Sequence, residues 1–361
     1  MTKNNTPQLR FLEFTDEWQE KKLGELFKIG SGRDYKHLKQ GNIPVYGTGG
    51  LMLHVNDYLY DGKSICIGRK GTIDKPQFLI GKFWTVDTLF YTCDFKNSIP
   101  EFIYSIFLKI NWQKYNEASG VPSLSKSTIE KIKVIVCSKI EQQKVADFLE
   151  KVDERIEGLE KKKELFSKYK KGIMQKIFSQ EIRFKDENGK QYPDWEEKKL
   201  GDLLDYEQPT RYIVASTEYS NKFKIPVLTA GKSFILGYTE EQNDIFNDLP
   251  VIIFDDFTTT SQFVNFPFKV KSSAMKILKA KKNENIKFIF ESIQRINFEV
   301  GSHGRHWISI FSGLKIKTPC NKEQQKIADF LTLLDNKIDQ INNKLTQAKL
   351  FKKSLLQKMF A

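Results

Sequence analysis

The segment Ala230-Gly231-Lys232-Ser233 ends as a phosphate-cradling loop ends, with a lysine and a hydroxyl behind a glycine. The full pattern GxxxxGK[ST] also needs glycine at position 226, where this chain has Pro226. Gly47-Thr48-Gly49-Gly50 could open a dinucleotide fingerprint, but Met52 holds the third glycine position. It reads as a turn that brings backbone N–H groups near an anion. Asp194, Glu196 and Lys198 imitate a nuclease acid pair, yet they are too close in the chain to hold a divalent cation between separate strands. Of the four histidines, His37, His54, His303 and His306, only the last two are near each other. A metal there would need a third ligand, so they read as surface or base-reading groups. No motif presents an extruded base to a methyl donor, and no Ser-His-Asp set is evident. The chain is read as non-catalytic, with no cofactor or metal of its own.

What remains is binding. The 361 residues carry 58 basic and 45 acidic side chains, a net charge of +13. Such an excess favours a polyanion, nucleic acid before an acidic membrane surface. Apolar residues make up 40% of the chain and phenylalanine alone numbers 28, enough for a packed core and too much for disorder. No apolar run approaches the ~18 residues of a membrane span. The polar start lacks a signal-peptide core. Cys66, Cys93, Cys137 and Cys320 form no CxxC pair, which fits a reducing compartment. A soluble cytoplasmic protein without a membrane partner is expected.

The elements that must position a binding surface come from an internal repeat. Trp18-Gln19-Glu20-Lys21-Lys22-Leu23-Gly24-Glu25-Leu26 returns 177 residues later as Trp195-Glu196-Glu197-Lys198-Lys199-Leu200-Gly201-Asp202-Leu203. Glu141-Gln142-Gln143-Lys144-Val145-Ala146-Asp147-Phe148-Leu149 returns 182 residues later as Glu323-Gln324-Gln325-Lys326-Ile327-Ala328-Asp329-Phe330-Leu331. Ile43-Pro44-Val45 and Ile225-Pro226-Val227 share that second offset. The residues between do not match, so one frame surrounds two different inserts.

Each repeat closes on apolar steps of three and four. They run Leu149, Val152, Ile156, Leu159, Phe166, Tyr169, Ile173 and Ile177 in the first copy. In the second they run Ile327, Leu331, Leu334, Ile338, Ile341, Leu345, Ala348, Phe351, Leu355 and Met359. That is a coiled-coil seam, interrupted in the first copy by Lys163 where the second has Leu345. Two such helices are each other's expected partners. The inserts, about 28–137 and 205–321, hold short β-branched and aromatic runs punctuated by Gly and Asn, the pattern of strand-dominated mixed domains. The first has 15 basic against 9 acidic residues and the second 15 against 12, so the first is the more cationic.

The duplicated frame resembles the specificity subunits of Type I restriction–modification systems. The first insert adds Ile43-Pro44-Val45-Tyr46-Gly47-Thr48-Gly49-Gly50, Ile67-Gly68-Arg69-Lys70-Gly71-Thr72-Ile73 and Phe83-Trp84-Thr85-Val86-Asp87-Thr88-Leu89-Phe90. The second adds Asp255-Asp256-Phe257-Thr258-Thr259 and Ser273-Ala274-Met275-Lys276-Ile277-Leu278. The resemblance implies an α+β protein with two mixed α/β target-recognition domains separated by two long antiparallel coiled-coil helices, related by a pseudo-twofold duplication. Each domain would read half of a bipartite site on double-stranded DNA. Methyl transfer from S-adenosylmethionine would belong to two methyltransferase subunits, docked on the helices and on exposed positions near Glu141 and Glu323. ATP- and Mg2+-dependent translocation and cleavage would belong to restriction subunits. The expected segments are 1–137, 138–179, 180–319 and 320–361: domain, helix, connector with domain, helix.

DNA-contact candidates follow from side-chain chemistry. Arg69 and Lys70, between Gly68 and Gly71, can reach phosphate or the O6/N7 edge of guanine. Arg33, Lys36 and His37 form a second basic loop, and Tyr46, Thr48 and Thr72 lie in the matching motifs. In the second insert the candidates are Arg211, Tyr212, Lys232, His303, Arg305 and His306. Two rivals remain: a coiled-coil adaptor whose basic inserts bind protein, and the recognition half of a fused methyltransferase. The positive inserts argue against the first, and a chain ending on a complete second helix argues against the second.

Overall fold

The computed structural model describes residues 6–230, 233–298 and 306–360. The chain forms two compact units, one of residues 1–162 with 341–361 and the other of residues 163–340. The division cuts through both long helices, Lys139–Phe178 and Asn321–Lys358, so each unit owns one end of each helix. They run to 40 and 38 residues without a proline. At 1.5 Å per residue each measures roughly 60 Å.

In the first unit the helices run antiparallel, because Lys349 pairs with Glu160 and Lys352 with Asp153, rising numbers meeting falling ones. Leu149, Val152 and Ile156 are buried there with Leu345, Leu355 and Met359. In the second unit Ile177 is buried with Ile327 and Leu331. The seam departs from its expected course at one position in each copy. Tyr169 and Phe351 are each 53% exposed, and the lysine that follows each turns inward. Lys170 meets Asp335 at 2.6 Å in the second unit, and Lys352 meets Asp153 at 2.5 Å in the first. A straight helix drifts against a strict heptad, and here a lysine stem fills the layer while its ammonium reaches a carboxylate.

The frame strands pair as the repeat suggests. Gln19–Lys22 lies antiparallel to Lys133–Val136, and Glu196–Lys199 lies antiparallel to Lys315–Thr318. The repeated glutamates are not surface groups. Glu141 and Glu323 are 1% and 0% exposed. Glu141 accepts bonds from Arg10 at 2.7 and 2.8 Å and from the Trp18 indole at 3.3 Å. Glu323 does the same with Arg183, at 3.2 and 2.8 Å, and Trp195, at 3.2 Å. The next residue ties each long helix to its insert. Gln142 accepts from Ile99 N at the start of helix Pro100–Lys109, and Gln324 accepts from Asn285 N at the start of helix Ile286–Ile293.

The inserts differ in sequence yet share the order of one four-stranded sheet and most of a second, to which the first unit adds an edge strand, Tyr60–Asp61. In the first unit a four-stranded sheet runs in the order Lys28–Ser31, Leu89–Cys93, Ser64–Gly68, Gln77–Leu79. In the second the order is Leu204–Glu207, Met275–Ala280, Val251–Asp255, Ser261–Val264. The second sheet of each unit sets a hairpin beside a parallel strand: Gln40–Gly47 with Gly50–Val55 and Lys82–Thr85, then Ile225–Leu228 with Ile235–Thr239 and Lys269–Val270. The central strands explain the layering. Ile65 and Ile67 pack in the cluster that holds Phe102, Ile103 and Phe107, while Cys66 packs with Leu79, Phe83 and Leu89. Ile252 and Phe254 divide from Val251 and Ile253 in the same way. Alternate side chains of one strand thus serve a helix-side and a sheet-side core.

Candidate nucleic-acid interface

Three segments of the first unit converge around Arg69 and Lys70: the hairpin turn after Gly47, the loop after Gly68, and residues 119–124. Main-chain bonds set their shape. Arg69 N and Lys70 N donate to Thr88 O at 2.8 and 3.3 Å, and Gly71 N donates to Pro122 O at 2.8 Å. Leu124 N donates to Arg69 O at 2.9 Å. The hairpin is fastened by Gln77 Nε2, which donates to Gly47 O at 2.9 Å. Two glycines are required here. A Cβ on Gly68 would lie 2.1 Å from Thr72 O, and Gly71 has φ +95°. The Thr48 hydroxyl lies 3.7 Å from where a Gly71 Cβ would stand, so hairpin and loop touch. Tyr46, Thr48 and Thr72 are half-buried, and Tyr46 packs on the Cys66 cluster as part of the core.

Arg69 and Lys70 are exposed, and neither pairs with a carboxylate among the described residues. Segments 47–52, 68–73 and 119–124 contain no acidic residue. Because the backbone holds the loop, the two side chains remain free to meet an anion or a base edge. Arg33, Lys36 and His37 are likewise exposed on a loop held from below. Arg33 N donates to Thr85 O at 2.8 Å, and the Trp84 indole donates to Arg33 O at 2.9 Å. The His37 ring stands edge-on to Trp84 at 5.8 Å. Beside it a groove of about 790 Å3 is lined by Lys36, Lys39, Asn42 and His54.

Several described cations of the second unit are paired with carboxylates of the same unit. Arg211 pairs with Asp244 at 2.8 Å, and that hydrogen bond holds the guanidinium above its ordinary pKa. Tyr212 packs on Phe246 and donates to Glu207 at 2.8 Å; burial and then that bond push its phenol pKa up. Lys269 meets Glu241 at 2.8 Å and Lys276 meets Asp256 at 3.3 Å, both lysines buried. Lys232, His303 and Arg305 lie outside the described residues. His306 corrects the surface reading: it is 3% exposed, with Nδ1 2.7 Å from Asp256 O. Asp256 also accepts from Trp307 N at 2.8 Å, so the histidine serves a buried turn. No group of three metal-ligating side chains occurs among the described residues, and no described helix is long and apolar enough to cross a membrane.

Residues 119–124 escaped the charge-based search because they carry no charge. Their signal was the turn chemistry of Ser119-Gly120-Val121-Pro122. The two clamp arginines were legible in principle. Arg10-Phe11 and Arg183-Phe184 recur 173 residues apart ahead of each tryptophan.

Residues 15–166 and 192–350 each match the Type I restriction modification DNA specificity domain. The Type I restriction enzyme EcoR124I/EcoR124II specificity subunit of Escherichia coli is 45% identical over 133 residues, 35% of this chain and 33% of that protein. The MjaIX specificity subunit of Methanocaldococcus jannaschii is 30% identical over 177 residues, 43% of this chain and 40% of that one. The chain therefore spans well under half the length of these relatives. The fold matches the Type I restriction–modification S subunit from M. genitalium with a TM-score of 0.74 over 99% of both chains, at 16% identity.

Proposed function

We propose, since the chain belongs to the Type I restriction–modification DNA specificity family, that it is the DNA-recognition subunit of such a complex. Each unit reads one half of a bipartite double-stranded site. The long helices, continuous through both units, set the tolerated spacing between half-sites and dock two methyltransferase subunits. S-adenosylmethionine, ATP and Mg2+ belong to methyltransferase and restriction subunits, and this chain performs neither methylation nor cleavage.

The observation that carries the reading is the unpaired Arg69–Lys70 loop, shaped by main-chain bonds and set among segments free of acid. A cationic loop on a rigid backbone suits phosphate and guanine edges. The shared topology of two inserts unlike in sequence supports two modules for two different half-sites. Replacing residues 205–321 with the insert of a similar subunit, followed by methylome sequencing, tests this. One half of the methylated sequence should change and the other stay intact. A swap that rewrote both halves would refute the two-module reading.

A further inference from the structure

The tip of the first hairpin leaves a leucine in an unusual place. Leu51 is 57% exposed beside the loop that carries Arg69 and Lys70. Leu51 pairs with Tyr46 across the hairpin, beside a bulge between Val45 and Tyr46 that makes Met52 the extra residue of its strand. Tyr46 packs on the cluster of Cys66, Leu79, Phe83 and Leu89, toward the sheet whose central strand ends at Gly68. Leu51, nearer the tip, lies on the hairpin whose Thr48 hydroxyl touches the Arg69–Lys70 loop at Gly71. Met52, the extra residue of the bulge, is itself 52% exposed and sends its sulfur across Gly47, 2.8 Å from where a Gly47 Cβ would stand. Gly49 and Gly50 have nothing within 4 Å of their Cβ positions, so the turn itself can approach a surface closely.

An exposed apolar side chain on a hairpin that touches a cationic loop has a matching feature in the DNA major groove. Among base edges there, only thymine presents a methyl group. We propose that Leu51 reads a thymine: it packs on the 5-methyl group of one T in the half-site bound by the first unit, beside the phosphate or guanine held by Arg69 and Lys70. This rests on the DNA-recognition reading above. It makes Leu51 a specificity residue independent of charge.

The test alters the DNA, so the fold is untouched. Once the methylome has given the site, duplexes with each thymine of the first-unit half-site replaced in turn by 2′-deoxyuridine are titrated with the full chain and its copurifying subunits. One replacement should weaken binding about fourfold, the worth of one buried methyl group. Leu51→Ala should bind thymine and uracil duplexes alike at that position, with an unchanged salt slope. Equal affinity for uracil at every position overturns the proposal. So does a uracil penalty that persists in Leu51→Ala, or a first-unit half-site without a T·A pair. If the unaltered protein binds no duplex specifically, with thymine or uracil, the DNA-recognition reading falls, and this one with it.

Discussion

Arg10→Ala should destabilise the first unit far more than a surface arginine would. The Glu141 carboxylate is 1% exposed and its bonds come from Arg10, at 2.7 and 2.8 Å, and from the Trp18 indole at a longer 3.3 Å. The first of these bonds holds the Arg10 guanidinium above its ordinary pKa. Removing the arginine leaves a buried carboxylate with one long hydrogen bond. Breaking such a pair costs about 3–5 kcal/mol, and the lower end applies because Arg10 keeps 13% of its side chain in solvent. For a unit of this size a loss of about 3 kcal/mol lowers the midpoint by roughly 6–12 °C. Calorimetry of the full chain reads this, and Arg183→Ala should do the same to the second unit through Glu323, its carboxylate 0% exposed. Adding Glu141→Gln to Arg10→Ala removes the stranded charge and should restore much of the loss. A midpoint shift under about 2 °C for Arg10→Ala, or strict additivity of the two changes, would refute the argument.

Two further outcomes are expected. Arg69→Ala should cost roughly 1–3 kcal/mol and relax one base position if it reads guanine, or weaken all sequences and lower the salt slope by about one if it holds phosphate. Titrations on matched and mismatched duplexes at several salt concentrations separate these, and no effect in either assay returns Arg69 to a solvated charge. Acid should loosen the second unit through Glu241. Its bond to Lys269, then those from Ser216 N and Ala215 N, hold its carboxyl below the usual 4.5. A depressed folded pKa means the unfolded chain binds the proton first, so this stability is present above about pH 4.5 and is lost as pH falls through the folded pKa. Glu241→Gln should flatten the unit's acid unfolding below about pH 4.5, and an unchanged slope would show that Glu241 does not drive it.

What could be read from the sequence follows from how many residues carry each signal. The long helices declare themselves because about ten apolar positions agree on one period. The repeat shows in nine-residue blocks for a physical reason: Glu141 with Gln142, and Glu323 with Gln324, each bind an arginine, an indole and a helix start, so little can change there. Tyr169 and Phe351 looked like seam residues by spacing alone, and only the partners of Lys170 and Lys352 reveal which residue faces inward. The common topology of the inserts was hidden because their strands run only two to eight residues and many apolar pairs can fill them. His306 could not be placed from its neighbours, since its partner Asp256 lies 50 residues away.

The same distribution explains why one frame can carry two different inserts. In the first unit the loop's path depends on Arg69 N, Arg69 O, Lys70 N and Gly71 N, groups that every non-proline residue supplies. Gly68 and Gly71 are needed for space and for φ, but the side chains at positions 69 and 70 support nothing beneath them. They can therefore be exchanged with little loss of fold. In the frame, by contrast, Arg10, Trp18 and Glu141, and their counterparts Arg183, Trp195 and Glu323, bond to one another, while Gln142 and Gln324 bury their amides on backbone groups. Stability and the exposed loop surface thus rest on different atoms: buried side chains in the frame, exposed side chains on a main-chain scaffold in the loops. A duplicated chain built this way can change what its loops present while the frame that holds them stays the same.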